Sequence, residues 1–321
     1  MFGAVKRCAS AVVGALVAVS AWSAGLTCGP ELTVRIPPRD TGAPGGREFI
    51  ASVEHVAPEE REAAVVAQVL SGNIPRFLRA LAPVVLSGAL DRSGTRVASA
   101  TLCVMPDYLA IGSDHDFVRM PMNLRSATMI ARNLGFILPT GKIVDAIHEQ
   151  AAYRLIPEPM EPGPQMVSPD YFLEHEYRIR AQELRDGVPM GALVAGHKKD
   201  IVLSNLLDQR RGRVAIYGWQ YPDGTPIQPL STAHHAGYAD YSHGVRLVSE
   251  IATVDGQRST TYDILADDRR ASLLSAEGAI PNVRSLMADP SFQSSVSGPH
   301  ATPSAAPYSP TSSVLQQRKP K

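Results

Sequence analysis

Two short segments of the chain hold histidine, aspartate and lysine at spacings that suit acid–base or metal chemistry. In "AGHKKDIV", His197 and Asp200 bracket Lys198 and Lys199, and in "STAHHAGYADYSHGVRLV", His234 precedes Asp240 and His243, which stand three apart just before Gly244. A divalent ion such as zinc takes two or three neutral imidazoles and a carboxylate, with one position left for water. His175, His197, His234, Asp240 and His243 are the candidate ligands. A metal-free site needs instead an imidazole of near-neutral pKa, oriented by a carboxylate and acting on water or on a hydroxyl such as Ser242. His197, Asp200, Asp240 and His243 are the candidate catalytic residues on either route, and the sequence leaves both routes open.

Around these loops stand residues that suit a ligand cleft. Trp219, Tyr238 and Tyr241 can supply aromatic walls, and Arg178, Lys198, Lys199 and Arg246 can recognise a carboxylate or phosphate. "GSDHDFVR" is a second cluster, in which Asp114 and Asp116 flank His115. A turn with Asx-type backbone bonding accounts for it more simply, and Arg119 can then hold a carboxylate in the finished site. Plainer readings stand beside the rest. His175 falls on the face of a helix that carries Phe172 and Ile179, which suits a hydrogen-bonded core residue. "HKKD" suits a solvated hairpin turn, and "DYSHG" a turn closed by Gly244.

The elements that must position these residues follow from pattern and punctuation. "PEEREAAVVAQVL" reads as a helix with Pro58 and two glutamates in its first turn. "NLRSATMIARNLG", "PTGKIVDAIHEQAAYRL" and "SPDYFLEHEYRIRAQELRDG" read as further helices, with Thr140 and Ser168 as caps and Gly135 and Gly187 as stops. "RVASATLCVMPDYLAIGSD" gives two β-rich runs broken at Pro106. From residue 191 onward strand patterns take over: "GALVAG" and "IVLSNL" flank the polar HKKD segment, followed by "RVAIYGW" and "GVRLVSEIATV". Asp255-Gly256 introduces "STTYDIL" as a hairpin partner. Helices mainly in the N-terminal half and a mostly antiparallel sheet in the C-terminal half predict an α+β fold.

The ends of the chain set the expected compartment. Residues 1–24 pair a short basic segment with an apolar run and small residues, the layout of a secretory signal peptide. Residues 25–46 read as an extended arm, 47–290 as the folded domain and 291–321 as a disordered Ser/Pro-rich tail. Cys28 and Cys103 then remain, and in an oxidising compartment they invite one disulfide, which argues against a catalytic thiolate at Cys103. A small buried residue in "ASATLCV" is the alternative for Cys103. With 31 basic and 31 acidic residues the chain lacks the footprint of a nucleic-acid binder, and the mature chain is expected to have no integral membrane segment.

Two resemblances carry over little chemistry. "STAHHAGYAD" resembles the zinc loop of D-alanyl-D-alanine carboxypeptidase-type peptidases in the order Ser231, His234, Gly237, Asp240. Its spacings depart by a residue, and the downstream Glu-x-x-His is missing. "PDYLAIGSD", "GHKKD", "VAIYGW", "PIQPL" and "DYSHG" together resemble a family of secreted bacterial proteins with no assigned activity; the resemblance spans most of residues 70–280 and implies one coherent domain. The sequence thus points to a secreted or periplasmic hydrolase of a peptide or amide bond in a cell-envelope component such as peptidoglycan. The rival expectation is a secreted binding protein for a glycan or an anionic small ligand.

Overall fold

The computed structural model describes residues 28–91 and 93–288. The expected signal segment and the Ser/Pro-rich tail lie outside the described residues. In chain order the elements are α1 (Gly46–Ser52), α2 (Pro58–Leu70), β1 (Ala82–Ala89), β2 (Val97–Val104), β3 (Ala110–Gly112), β4 (Phe117–Arg119), α3 (Leu124–Leu134), β5 (Phe136–Ile137), α4 (Gly141–Gln150) and β6 (Tyr153–Arg154). They continue with α5 (Pro169–Arg185), β7 (Val194–Ala195), β8 (Lys199–Ile201), α6 (Leu206–Gln209), β9 (Ile216–Gln220), β10 (Pro226–Ser231), β11 (His243–Gly244), β12 (Val248–Val254), β13 (Gln257–Thr260), α7 (Thr261–Ala266) and α8 (Val283–Ala288). The fold is α+β, with mainly antiparallel sheets and helices mostly in the N-terminal half.

The helix signals act as their chemistry dictates. Asn123, Thr140 and Ser168 each accept a backbone N–H three residues on, at Ser126, Ile143 and Tyr171, so that an otherwise unpaired amide at each N-terminus is bonded. Gly135 ends α3 in the left-handed conformation. Buried Phe172, His175 and Ile179 line the inward face of α5.

The larger sheet runs β1-β2-β12-β13, with β5 also pairing β12. Strands β1 and β2 pair antiparallel from Ala82↔Val104 to Ala89↔Val97, so a strand of the first third lies at one edge of this sheet. Ala98, Ala100, Leu102 and Val104 alternate into the core from β2, as a half-buried strand requires. Asp255-Gly256 closes the β12–β13 hairpin with φ of 49° and 80°, the positive values a two-residue turn of this kind demands.

Three local expectations are corrected. "STTYDIL" is strand only as far as Thr260; the Thr260 hydroxyl then caps Asp263 N–H and starts α7. "HKKD" is no solvated hairpin tip, because the chain bends at Gly196 and carries His197, Lys198 and Asp200 inside, where each is no more than 2 % exposed. The N-terminal arm, expected to be extended with no regular element, forms a 3-10 turn at Pro30–Thr33 and packs onto the domain, where Ile36 is buried and Arg79 donates to the Ile36 and Pro37 carbonyls.

The arm is further tied by a disulfide between Cys28 and Cys103, 75 residues apart in sequence. Cys103 is therefore not available as a nucleophile. A cross-link closing a loop of this length restricts the unfolded chain and stabilises by roughly 2–4 kcal/mol. The double variant Cys28→Ala/Cys103→Ala is expected to unfold at a correspondingly lower urea midpoint, and equal midpoints for variant and parent would contradict this role.

Candidate functional site

The smaller sheet positions the candidate residues. Its order is β10-β9-β8-β11; β8 pairs β9 antiparallel and β11 parallel. The register sets His243, Lys199 and Gly218 in one row, and Gly244, Asp200 and Tyr217 in the next. Because side chains alternate along a strand, the two rows face opposite sides of the sheet.

On the first face, His243 has the charges of Asp240, Lys199, His234 and Lys198 around it. Burial, opposed by Asp240 and aided by the two lysines, pushes the imidazole down to about 4. Asp240 holds the charged form: although burial works against it, His243, Lys199 and the Ser242 hydrogen bonds keep its pKa at about 2. The Ser242 amide and hydroxyl donate to Asp240 Oδ1 at 2.8 and 2.5 Å, and Tyr238 donates to Oδ2 at 3.2 Å. Ser242 thus orients the carboxylate and is not poised as a nucleophile. His234 and Tyr238 stack at 4.3 Å and stand edge-on to His243, with centroids 6.1 and 5.7 Å away. Both are half-buried, whereas His243 is fully buried.

On the second face the Tyr108 hydroxyl donates to Asp200 Oδ2 at 2.7 Å. Gly244 is required here, because a Cβ would lie 2.6 Å from the Tyr108 ring. Burial pushes the Asp200 carboxyl up to about 7, against the pull of Arg246 and Tyr108 and with help from the like charge of Asp145.

Lys198 crosses between these groups and the helices. Its ammonium donates to the Tyr241 carbonyl at 2.8 Å and meets His175 Nδ1 at 3.3 Å, and burial lowers it to about 8. Trp219 packs edge-on to His175 and Tyr241, with Lys199 Nζ 5.0 Å above its ring. Its φ of 52° is left-handed, a conformation that costs a non-glycine residue about 1–3 kcal/mol. The bond from Trp219 N–H to the Lys198 carbonyl, at 3.1 Å, helps hold it there.

His197 belongs to a separate ion cluster. Its Nε2 lies 3.1 Å from Asp107 Oδ1, while Arg119 binds Asp107 Oδ2 through Nε and Nη2 at 2.9 and 2.6 Å. Arg119 also binds Glu176 at 2.6 Å and touches Glu183. Despite burial, Arg119 and His197 hold Asp107 far below the usual carboxylate range. Burial lowers His197 to about 4, against the opposing pull of Asp107. Asp107, Arg119 and Glu183 reach a cleft of about 180 Å³ whose walls include Phe77, Phe117 and Met190.

Neither family models, nor curated proteins, nor solved structures give a match to this chain.

The expected site residues therefore divide. Asp240, His243, Lys199 and His234 come together, with Tyr238, Lys198, Trp219 and Tyr241 around them. Asp200 is turned to the other face, and His197 is taken up by Asp107. Arg246 is no ligand-binding cation, since it lies buried over the Tyr108 ring and donates to the Met105 and Val194 carbonyls. Arg178 is exposed and pairs with Glu174 one helical turn away. Tyr241 uses its hydroxyl to accept the Met160 N–H. As for metal, no group of three or more His, Cys, Asp or Glu residues among the described residues has the geometry to hold an ion, so His175, His197, His234, Asp240 and His243 do not converge as ligands. The "GSDHDFVR" cluster is the turn of the β3–β4 hairpin, with Asp114 and Asp116 paired to Arg76 and Arg47.

Asp107, Tyr108, Glu176 and Glu183 were not foreseen as partners. Asp107 follows Pro106 at a strand break, which hides it among turn residues. Glu176 is legible only once His175 is placed on an inward face.

Among the described residues, eight buried side-chain nitrogen or oxygen atoms have no hydrogen-bond partner, and six of them lie here: His175 Nε2, His197 Nδ1, Asp200 Oδ1, Trp219 Nε1 and both nitrogens of His243. Each such atom costs about 1–3 kcal/mol of stability, and such concentrations call for an explanation beyond packing.

The shifts also set a pH dependence. His197 and His243 titrate at about 4 in the fold and near 6.5 when unfolded, so the unfolded chain takes up protons first and stability falls as pH drops from 6.5 to 4. The linkage is on the order of 3 kcal/mol per histidine. Asp200, raised to about 7, acts oppositely and gains stability as pH falls. Urea unfolding is therefore expected to weaken from pH 7 to pH 4, and more steeply in Asp200→Asn; a midpoint that rises on acidification would contradict these assignments.

Proposed function

We propose that the chain is a secreted hydrolase that cleaves an amide bond in a cell-envelope component through His243 and Asp240, without a metal ligand set. The observation that carries the proposal is His243 itself: a neutral imidazole with both nitrogens buried and unpartnered, beside an ionised carboxylate and two lysines. A group so placed is held in readiness for a proton it does not yet exchange.

In this reading His243 takes a proton from water as the water attacks the carbonyl carbon. Asp240 stabilises the resulting imidazolium, and Lys199 offsets the charge on the carbonyl oxygen. The imidazolium then gives its proton to the departing amine. The His234–Tyr238 pair covers His243, so the segment 232–241 has to move for substrate to enter. The Cys28–Cys103 disulfide supports an oxidising compartment and hence the secreted or periplasmic location.

The complete burial of His243 also favours the second reading, a binding protein whose half-buried Tyr238 and His234 hold a glycan or an anionic group beside Lys199. The pH–rate profile on peptidoglycan fragments separates the two. Hydrolysis by His243 predicts turnover that rises through about pH 4 and falls at alkaline pH as Lys199, its pKa lowered by burial, loses its charge. Fragments that raise the melting temperature without any turnover across that range would favour binding.

A further inference from the structure

Behind the sheet, on the side away from His243, a groove of about 490 Å³ runs past the C-terminal end of α4 and includes Asp145, His148, Glu149, Tyr217, Gln220 and Asp223 in its walls. Three of these are carboxylates. The one basic side chain in the wall, Arg154, is already engaged: its Nε donates to the His148 carbonyl, Nη2 to the Glu149 carbonyl and Nη1 to the Pro222 carbonyl. The carbonyl end of a helix adds further negative potential. The walls thus carry an excess of negative charge and hold their only cation against backbone oxygens.

The acidic residues alone would be an ordinary surface patch. His148 makes the difference. It is 2 % exposed, it lines the groove, and its Nε2 is buried without a partner. Burial lowers its pKa, so at neutral pH the ring is uncharged. Asp145 is pre-set in a complementary way: Tyr217 Oη and Gln220 Nε2 both donate at 2.8 Å to its Oδ1, and its Oδ2 is left for another donor. Asp223 is fixed by the Thr225 N–H at 2.9 Å.

We infer that this groove binds an organic ammonium group, a primary amine at the end of a short carbon chain, through Asp145, His148 and Asp223. An ammonium ion has three donors in a small volume and no acceptor, which suits separated oxygen acceptors in a groove walled on one side by the Tyr217 ring. A metal ion fits less well, because these carboxylates and His148 do not form a ligand group. The inference does not depend on the hydrolase reading, since the groove and His243 lie on opposite faces of the small sheet.

The test uses the full chain, with n-pentylamine as probe and n-pentanol and calcium chloride as controls, followed by calorimetric titration and by the His148 ring resonances in NMR. Pentylamine is expected to bind one-to-one and to shift the His148 ring signals. Asp145→Asn, which keeps the oxygen that Tyr217 and Gln220 bind, is expected to weaken binding at least tenfold. Asp223→Asn, on an exposed turn, provides a second variant should Asp145→Asn fail to fold, and it is expected to weaken binding in the same direction. Equal binding of pentanol, tighter binding of calcium than of amine, or amine binding unchanged in whichever of the variants folds would each overturn the inference.

Discussion

The variant Arg119→Met is expected to lose at least about 3–5 kcal/mol of stability or to fail to fold, the largest single-residue effect in the protein. Arg119 is 1 % exposed and is the cation shared by Asp107, Glu176 and Glu183, the first two also buried. Methionine replaces its volume but none of its charge. The carboxylates left behind would have to take up protons or remain charged in a medium of low dielectric, and either course raises the energy of the fold. The same cluster joins the β3–β4 hairpin and α5 to the residues before β8, so its loss would also release His197. The check is urea unfolding of Arg119→Met beside Arg178→Met. Arg178 makes only an exposed pair one helical turn apart, so that variant is expected to change stability by no more than about 0.5 kcal/mol. Similar midpoints for the two variants would remove Arg119 from its structural role.

The second large effect concerns turnover. His243→Gln is expected to lower hydrolysis of peptidoglycan fragments by about 10²–10⁴-fold, the usual contribution of a positioned general base. Glutamine keeps polar atoms in the pocket but cannot accept and return a proton near neutral pH. Asp240→Asn should lower turnover by a smaller factor, because the imidazolium loses its stabilising charge while the base remains. His197→Gln should act mainly on stability, since its Nε2 is held by Asp107 in the ion cluster. A rate that responds to His197 and not to His243 would move the chemistry to the cleft beside Asp107 and Glu183.

Much of the scaffold was legible because its signals are local. Caps at Thr140 and Ser168, the stop at Gly135 and the Asp255-Gly256 turn each act within a few residues, and each is where chemistry puts it. The site was legible only in part, because it depends on which side of a short strand each residue faces. His197 and Asp200, three apart, look like a pair in sequence, yet one meets Asp107 and the other Tyr108. Asp240 and His243, also three apart, do share a site because a turn folds between them: His243 N–H bonds the Asp240 carbonyl at 3.0 Å. "HKKD" was unreadable as interior because polarity argues for solvent, whereas Asp107, Glu176, Tyr108 and the Tyr241 carbonyl, all distant in sequence, supply its partners.

If His243 is kept for chemistry at the expense of stability, thermal unfolding of His243→Leu, with turnover measured on the same samples, will show it. Leucine is of similar size and removes two buried, unpartnered nitrogens, so the melting temperature is expected to equal or exceed that of the parent by a few degrees, with turnover reduced to background. A melting temperature several degrees lower, with or without turnover, would contradict it and make His243 a core residue held by partners.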